Sequence, residues 1–245
     1  MQESGLRLNK AIAQAGIASR READRLIREG VVRVNGEQVL DLGRRIDPAT
    51  DRLEVAGKSV RLAAKPATEV WALYKPKGCV STMHDPQGRP TLVDHFPKSG
   101  ARLFPIGRLD YDAEGLILLT SDGELAQRVA HPSHAVDKVY LVKVKGLVED
   151  KALAQLAKGP VLDGRRRGKV RARVLHNLTD KTWLEVTLRE GINHHIKKMF
   201  AQHGHRVLKI KRYRVGPVEL GDMRPGQTRR LSGEEVTALL DQAHE

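Results

Sequence analysis

The sequence predicts an α+β protein in which a small N-terminal unit precedes a larger, strand-rich domain. In the larger part, strand-like and helical segments are not regularly interleaved, which favours an α+β sheet domain over a doubly wound sheet. The stretch 62–69 has the composition of a linker. The chain has 245 residues, of which 40% are hydrophobic, so each part can build a core of its own.

The first 30 residues predict two short helices. Residues 8–15 place their apolar side chains on one face of a helix, which Gly16 can end. Ser19 and Glu22 have the spacing of a capping box, in which each side chain bonds the backbone amide of the other residue. A second helix is therefore expected to begin at this box and to run to Gly30.

The second predicted helix carries an arginine face opposite its apolar face. At about 100° per residue, Arg21, Arg25 and Arg28 lie together on this face. Like charges at this spacing repel one another, which favours a phosphate ligand for the face. A solvated helix surface without a ligand is the alternative interpretation.

Short strands are predicted for the rest of the N-terminal unit. Val32 and Val34 alternate with polar residues, as in a half-buried strand. The Asn-Gly pair at 35–36 is typical of a two-residue hairpin turn, after which Val39 begins the return strand. Three further apolar residues indicate later strands: Leu53, Val55 and Val60.

The larger part combines six strand candidates with four helix candidates. The strands are expected at 70–73, 115–120, 139–144, 170–175, 183–188 and 206–215. The helices are expected at 124–130, 149–158, 194–203 and, at the C-terminus, after a capping box formed by Ser232 and Glu235.

The charge balance indicates a class of partner. The 43 Lys and Arg residues outnumber the 30 Asp and Glu residues, which gives a formal net charge of +13. Such an excess favours a polyanion, because each phosphate neutralised by Lys or Arg releases condensed counterions. No segment pairs a basic face with a broad apolar face, so nucleic acid is favoured over a membrane surface.

The cysteine content and the apolar runs indicate a compartment. Cys79 is the single cysteine, so no intramolecular disulfide can form, and a reducing compartment is expected. The first seven residues contain no apolar signal-peptide core, and no apolar run approaches the ~18 residues of a membrane span. We therefore expect a soluble cytoplasmic protein with no membrane partner.

Common cofactor and metal motifs fail in this sequence. The basic stretch 164–169 has one residue too few between its glycines for a phosphate loop, so neither ATP nor a dinucleotide is indicated. The stretch 110–115 imitates a calcium loop, but Ser121 stands where the bidentate glutamate is required. The histidines at 194, 195, 203 and 205 have no cysteine nearby, and adjacent histidines do not share a helix face. We expect no metal and no cofactor.

Two segments could carry chemistry. Residues 105–110 end in an acid, Asp110, on a loop just before an apolar strand. Residues 190–200 form a turn that leads into a helix whose first turns carry paired lysines. Taken alone, these residues leave a binding protein for RNA and an enzyme acting on RNA both open.

Read together, these segments resemble the pseudouridine synthases that modify ribosomal RNA, in the branch that carries an N-terminal S4-type RNA-binding module. The resemblance covers nearly the whole chain. Residues 7–39 are similar to the S4 module. Four later stretches resemble motifs of the synthase domain in the family's order: Tyr74–Gly78, Gly107–Asp110, Lys138–Tyr140 and Glu190–Met199.

The resemblance implies roles for individual residues. Asp110 is expected to be the catalytic aspartate, Tyr140 the aromatic residue against the target base, and Lys197 the cation paired with the aspartate. Arg108 matches the arginine that helps to hold the target base out of the helix. The other expected RNA contacts are Lys10, Arg20, Arg21, Arg25, Arg28, Asn193, His195 and Lys198.

The sequence departs from the commonest family pattern in one motif. His195 stands where glutamine is usual, and lysine occupies positions 197 and 198, where arginine is frequent. The lysines keep the positive charge but lose the bidentate fork of a guanidinium.

The resemblance also implies an organisation and a partner. An S4-type domain is expected at 6–65, followed at 69–245 by a synthase domain with a mixed, mainly antiparallel sheet and flanking helices. Stretches 19–24 and 85–90 are closest to the type that acts on large-subunit ribosomal RNA, so the expected partner is that RNA or its assembly intermediate. The basic segments 164–169 and 209–214 are expected to contact phosphates, and the protein is expected to be a monomer. A small-subunit RNA substrate and a non-catalytic ribosome-assembly factor on the same fold are the alternatives.

Overall fold

The computed structural model describes residues 5–62, 68–131, 136–192 and 194–242. The chain divides into two compact units, Met1–Thr68 and Glu69–Glu245, and each unit has its own apolar core. Most of the linker stretch, 63–67, and also Asn193 lie outside the described residues.

The N-terminal unit packs two helices against short antiparallel strands. Its helices are α1 (Leu8–Gln14) and α2 (Arg20–Arg28). Its strands are β1 (Leu6–Arg7), β2 (Val32–Val34), β3 (Glu37–Gln38), β4 (Arg45–Ile46), β5 (Leu53–Val55) and β6 (Lys58–Val60). Strands β3-β2-β5-β6 form one sheet in this order, and β1 pairs with β4. The core joins Leu8, Ile12 and Ile27 of the helices to Val32 and Leu53 of the sheet.

The helix and turn signals of this unit are largely confirmed. Gly16 adopts a φ of +76° after α1, and the hairpin turn has a φ of 53° at Asn35 and 84° at Gly36, as a type I′ turn requires. The return strand begins at Glu37 rather than at Val39. Both residues of the turn therefore have the conformation for which the Asn-Gly pair is suited.

Only half of the first capping box is present. The Ser19 hydroxyl accepts a hydrogen bond from the Glu22 amide at 3.1 Å, as predicted. The Glu22 carboxylate does not complete the box, because it accepts from the guanidinium of Arg25 instead. The prediction of a reciprocal bond was therefore wrong, since a charged donor one turn ahead is a stronger partner for the carboxylate than a backbone amide.

The C-terminal unit contains eleven strands and four α-helices among its described residues. The strands are β7 (Val70–Lys75), β8 (Phe104–Ile106), β9 (Glu114–Thr120), β10 (Lys138–Lys145), β11 (Val161–Leu162), β12 (Arg165–Arg166), β13 (Arg171–Leu178), β14 (Lys181–Leu188), β15 (Val207–Val215), β16 (Val218–Glu219) and β17 (Thr228–Arg230). The helices are α3 (Gly123–Ala130), α4 (Asp150–Ala157), α5 (His195–Ala201) and α6 (Gly233–Gln242), with a short 3₁₀ helix at Leu92–His95. The capping box before α6 is present, with Ser232 and Glu235 each accepting from the amide of the other.

One mixed sheet of nine strands organises this unit. Its main order is β13-β14-β10-β15-β9-β7-β17, with β16 beside β15 and β8 beside β9. Every pairing in it is antiparallel except β9 with β15, which are parallel over only two residue pairs. The expectation of a mixed, mainly antiparallel sheet with flanking helices is confirmed, and the parallel pair joins two antiparallel halves.

A glycine permits the two halves to meet. Gly115 pairs with Arg212 at the parallel junction and has a φ of +116°. A Cβ atom at Gly115 would lie 2.1 Å from the carbonyl oxygen of Arg212, which is a backbone atom that cannot turn aside. Position 115 therefore requires glycine, both for its φ and for the close approach of the two strands.

Separate apolar clusters cover the two halves of the sheet. One cluster packs Phe200 of α5 against Val142 and Leu184 of the β10–β14 half. Another packs α3 and α6 against the β7–β9 half, for example through Val129 and Leu116. Between residues 5 and 242, in the described ranges, no helix is long and apolar enough to cross a membrane.

Candidate active site

A cavity of about 240 Å³ opens where the two halves of the sheet join. Its lining comes from the loop between β8 and β9, from β10, from β15 and from the start of α5. Asp110, Tyr140 and Arg212 belong to this lining, although they come from three separate elements. The fold therefore brings the two segments that could carry chemistry to one place.

Asp110 lies in a tight turn at the edge of this cavity. Its carbonyl oxygen accepts a hydrogen bond from the amide of Ala113 at 3.1 Å, so the turn is closed directly behind the carboxylate. The side chain is 23% exposed, and its two oxygens face different basic side chains. Oδ1 lies 3.8 Å from Nε2 of His194, and Oδ2 lies 3.5 Å from Nζ of Lys197. The carboxylate therefore lines the cavity with an imidazole and an ammonium group beside it.

Lys197 is shared between two carboxylates. Its Nζ lies 2.6 Å from Oδ1 of Asp112, closer than the 3.5 Å to Asp110. Burial by itself lowers the pKa of Lys197, but the hydrogen bond to Asp112 and the negative charges of both aspartates outweigh burial and raise the pKa above its usual value. The ammonium therefore stays charged beside Asp110, and the second aspartate holds it in place.

Tyr140 and Arg212 form the inner wall of the cavity. Tyr140 lies on β10 with its ring buried among the apolar residues of the first cluster, so it also fills core space. The guanidinium carbon of Arg212 lies 6.0 Å from the centre of the Tyr140 ring, within the range of a cation–π contact. One side of the ring is thus occupied by a cation, and the ring also lines the space beside Asp110.

Three buried cationic side chains surround the site, and each is bonded to backbone carbonyl groups. Lys75 donates to the carbonyl oxygens of Pro76 and Ala113 at 3.0 and 2.8 Å. Arg212 donates to that of Leu116 at 2.7 Å and more weakly to that of Arg108 at 3.5 Å. Lys138 contacts three more carbonyl oxygens, those of Val129, Val136 and Arg189.

Burial makes two of these side chains, both lysines, less basic. Burial lowers the pKa of Lys75 to about 8, and burial also lowers the pKa of Lys138 to about 8. The bond from Lys75 to Ala113 reaches the same turn that carries Asp110, and the weak bond from Arg212 reaches Arg108, two residues before Asp110. These cations therefore fix the backbone on which Asp110 is mounted.

His195, one of the expected RNA contacts, is buried rather than at the surface. The residue is only 5% exposed, and neither ring nitrogen has a hydrogen-bond partner among the described residues. Burial lowers the pKa of its imidazole, so the ring is neutral near pH 7. Its side chain lines the cavity from the start of α5, where it packs at the base of the site.

Several residues of the basic segments that were expected to contact phosphates instead contact other groups of the protein. Arg212, within 209–214, is only 3% exposed, so the prediction of a phosphate contact is wrong for it. Lys209 pairs with Glu114 at 2.8 Å, and Lys211 lies over the ring of Tyr74. In the other segment, Arg166 donates to the backbone carbonyls of residues 158 and 159.

One residue of the arginine face of α2 is paired with carboxylates of the same helix or its end. Arg20, Arg21 and Arg28 are exposed, as expected. Arg25 is exposed too, but it forms ion pairs with both Glu22 and Glu29, which raise the pKa of its guanidinium. The argument from mutual repulsion was therefore wrong for Arg25, because two carboxylates offset its charge.

The other residues expected to contact RNA have varied surroundings. Arg108 is exposed at the rim of the cavity. Lys198 points away to Asp163, whose carboxylate lies 2.6 Å from its Nζ. Lys10 is half-buried in α1, and Asn193 lies outside the described residues. Of these four, only Arg108 lines the site in the described part of the chain.

Several residues of the site were missed by sequence reasoning, although two of them carried a signal. Alternation along β15 places Arg212 on the same face as the buried Ile210, and alternation along β10 places Lys138 on the face of Tyr140. His194 and Asp112 carried no comparable signal, because their contacts depend on the meeting of two distant loops.

Comparisons with known proteins agree with this geometry. Residues 69–202 match the family described as RNA pseudouridylate synthase, and residues 6–53 match the S4 domain. A "Ribosomal large subunit pseudouridine synthase B" from Bacillus subtilis is 39% identical over 95% of this chain and 95% of its own length. An "Uncharacterized RNA pseudouridine synthase" from Aquifex aeolicus is 39% identical over 96% of this chain and 93% of its own length.

A solved structure is similar along nearly the whole chain. The "Crystal structure of pseudouridylate synthase" has a TM-score of 0.65 and 32% identity, and the match covers 96% of this chain and 99% of that one. Since the family match spans more than half of the chain and the relatives cover nearly all of it, the chain belongs to the RNA pseudouridylate synthase family and carries an N-terminal S4 domain.

Proposed function

We propose that this protein converts one uridine of large-subunit ribosomal RNA to pseudouridine, with Asp110 as the reacting carboxylate. The observation that carries the proposal is the position of Asp110: its carboxylate lines a cavity of about 240 Å³ that Tyr140 also lines, and it lies 3.5 Å from Nζ of Lys197. The name of the Bacillus subtilis relative supports the large subunit as the source of the substrate.

The proposed reaction is an isomerisation that needs neither a redox partner nor an energy donor. The bond between C1′ of the ribose and N1 of the uracil breaks, the base turns, and a bond forms between C1′ and C5. The proton on C5 is lost, and N1 gains a proton. Asp110 acts either as a nucleophile that forms a covalent intermediate or as a base at the sugar.

The other groups of the cavity have supporting roles in the proposal. Extruding a base costs a few kcal/mol of stacking, and stacking on an aromatic ring such as that of Tyr140 returns roughly 1 to 3 kcal/mol. Lys197 places a positive charge 3.5 Å from the carboxylate of Asp110, and Arg108 at the rim holds the gap left in the RNA. The exposed arginines of α2 bind the backbone of the folded RNA, and the protein acts as a monomer.

The test uses an unmodified large-subunit RNA transcript. After incubation with the protein, pseudouridine is mapped by carbodiimide treatment and primer extension. The wild-type protein is expected to produce a stop at one position, and Asp110→Asn is expected to abolish it because the amide cannot act as a nucleophile or a base.

Asp163→Asn is the matched control, because Asp163 is an exposed carboxylate that pairs with Lys198, the residue next to Lys197, and it does not line the cavity. An exposed ion pair of this kind contributes up to about 1 kcal/mol, so the control should stay within about fivefold of the wild-type rate. Equal pseudouridine with Asp110→Asn would contradict the role of Asp110. Modification of a small-subunit transcript alone would contradict the large-subunit assignment, and binding without modification would favour an assembly factor.

A further inference from the structure

A second cavity, of about 430 Å³, adjoins the catalytic cavity. The two cavities share three lining residues, Leu188, Glu190 and His195, so only one layer of side chains separates them. The second cavity lies at the ends of β10, β13 and β14, and Asp110 does not line it. Lys169 in its lining belongs to the basic segment that the sequence predicts to contact phosphates, whereas Arg171 and Arg189 have no role in the proposed function.

Two arginines at this second cavity are held by one carboxylate. Asp137 precedes β10, Arg189 follows β14, and Arg171 begins β13, so the strand pairing brings all three to one end of the sheet. Asp137 accepts from Nε of Arg189 at 2.9 Å and from Nη2 of Arg171. A guanidinium has five N–H donors. The carboxylate therefore fixes the orientation of both groups while it uses only one donor of each.

A third cation and a fixed loop complete the rim. Lys169 is exposed and lines the cavity with the two arginines. The preceding residue, Gly168, donates its amide to Oε1 of Glu190 at 2.7 Å, which attaches this basic loop to the strand end that leads to α5. The rim carries three cationic side chains and two carboxylates, those of Asp137 and Glu190, so its net charge is positive by one. The carboxylate of Glu190 is also bonded to the loop. The rim is therefore positive and preorganised.

We propose that this second cavity binds a backbone phosphodiester of the RNA next to the nucleotide whose base enters the catalytic cavity. Oriented guanidinium groups suit a phosphate, because their parallel N–H donors match its oxygens. The shared wall places that phosphate within one nucleotide of the base. The inference rests on the proposed function, since it assumes an RNA base in the first cavity.

The experiment compares cations that line the second cavity with an exposed arginine that does not. The double variant Arg171→Gln/Arg189→Gln and the single variant Lys169→Gln are tested against Arg173→Gln. Arg173 is a close control for Arg171: it lies two residues along β13, it is 67% exposed against 68% for Arg171, and it is also paired with a carboxylate, that of Glu185. It does not line the cavity.

Binding of the large-subunit transcript is measured by filter retention at several salt concentrations, and pseudouridine formation is measured at saturating RNA. Each lost phosphate contact lowers the slope of log K against log salt by about 0.7 to 0.9. One shared phosphodiester predicts that the double variant lowers the slope by about one and weakens binding about tenfold, with the rate at saturating RNA within about threefold of wild type.

Arg173→Gln is expected to leave both the slope and the affinity unchanged, and Lys169→Gln to weaken binding less than the double variant does. The inference is overturned if the double variant binds like Arg173→Gln, or if it lowers the rate at saturation while binding stays normal. Melting curves of each variant identify a loss of folding, and Lys169→Gln keeps the test valid if the double variant unfolds. A wild-type protein that binds the transcript but forms no pseudouridine would refute the proposed function instead.

Discussion

The arginines of the N-terminal unit lie in solvent, whereas the C-terminal unit buries three cationic side chains around its candidate active site. Arg20, Arg21 and Arg28 of α2 are exposed. Arg212 and Lys75, by contrast, are almost fully buried and donate to backbone carbonyl oxygens. Exposed cations interact with RNA across water and are screened by salt, whereas buried ones hold the polypeptide in place and keep their effect at high salt.

This difference teaches that the role of a basic residue in an RNA-modifying enzyme has to be inferred from its burial as well as from its charge. Both units are positive, because residues 1–65 carry 13 Lys and Arg against 9 Asp and Glu, and the remainder carries 30 against 21. The sign of the charge is the same in both units, but replacing a buried cation is expected to lower the free energy of unfolding and the reaction rate. Replacing an exposed cation is expected to weaken RNA binding and to change its dependence on salt.

The largest effect is expected for Arg212→Met. The methionine fills part of the space but leaves the carbonyl oxygen of Leu116 and that of Arg108 without this donor. Each unsatisfied buried group costs about 1 to 3 kcal/mol, so the free energy of unfolding should fall by about 2 to 5 kcal/mol. Thermal unfolding monitored by circular dichroism measures the change.

Arg206→Met is the control for this prediction, because Arg206 is exposed just before the same strand. A surface substitution of this kind usually changes stability by less than about 0.5 kcal/mol. Equal destabilisation by the two variants would remove the distinction between buried and exposed cations.

A smaller effect is expected for Lys197→Met. The ammonium lies 3.5 Å from Oδ2 of Asp110 and 2.6 Å from Oδ1 of Asp112, so the variant removes the cation that contacts both carboxylates. The rate at saturating RNA should fall about tenfold, which corresponds to about 1.4 kcal/mol in the activation barrier. The two aspartates raise the pKa of Lys197 above its usual value, so the wild-type ammonium stays charged up to pH 9, and the loss measured from pH 5 to 9 should be the same at every pH.

Lys197→Arg should restore much of the wild-type rate, because it restores the charge. Lys198→Met is the control, since that lysine pairs with Asp163 rather than with Asp110. An unchanged rate with Lys197→Met, or no recovery with Lys197→Arg, would show that the charge of Lys197 does not act on the reaction.

The smallest effect is expected on the surface of α2. The variant Arg21→Gln/Arg28→Gln should weaken RNA binding at low salt and lower the salt slope by about one to two, while the rate at saturating RNA stays unchanged. Arg25→Gln should change the slope less, because Glu22 and Glu29 already hold that guanidinium. The RNA affinities of the variants are measured at three salt concentrations. A larger change of slope with Arg25→Gln than with the double variant would contradict this prediction.

Much of the fold could be predicted because its signals are local. Alternation of apolar residues located the six longest strands of the C-terminal unit to within a few residues, and Ser19 and Ser232 marked the start of two helices as caps. The short strands such as β8 were missed, since three residues are too few to show a period. The donor to the Glu22 carboxylate was predicted wrongly, because spacing along the chain does not show which of two nearby donors the carboxylate accepts from.

The sequence by itself determined the family, the two-part organisation and the candidate aspartate, because these rest on local order: motifs in sequence, helix caps and strand alternation. Only the tertiary structure decided that Lys197 is shared by Asp110 and Asp112, that Arg212 is buried beside Tyr140, and that Asp137 joins two arginines. Each of these contacts joins residues that are 34 or more positions apart. Their physical cause is the register of the sheet and the short parallel pairing at Gly115, which no local pattern of residues encodes.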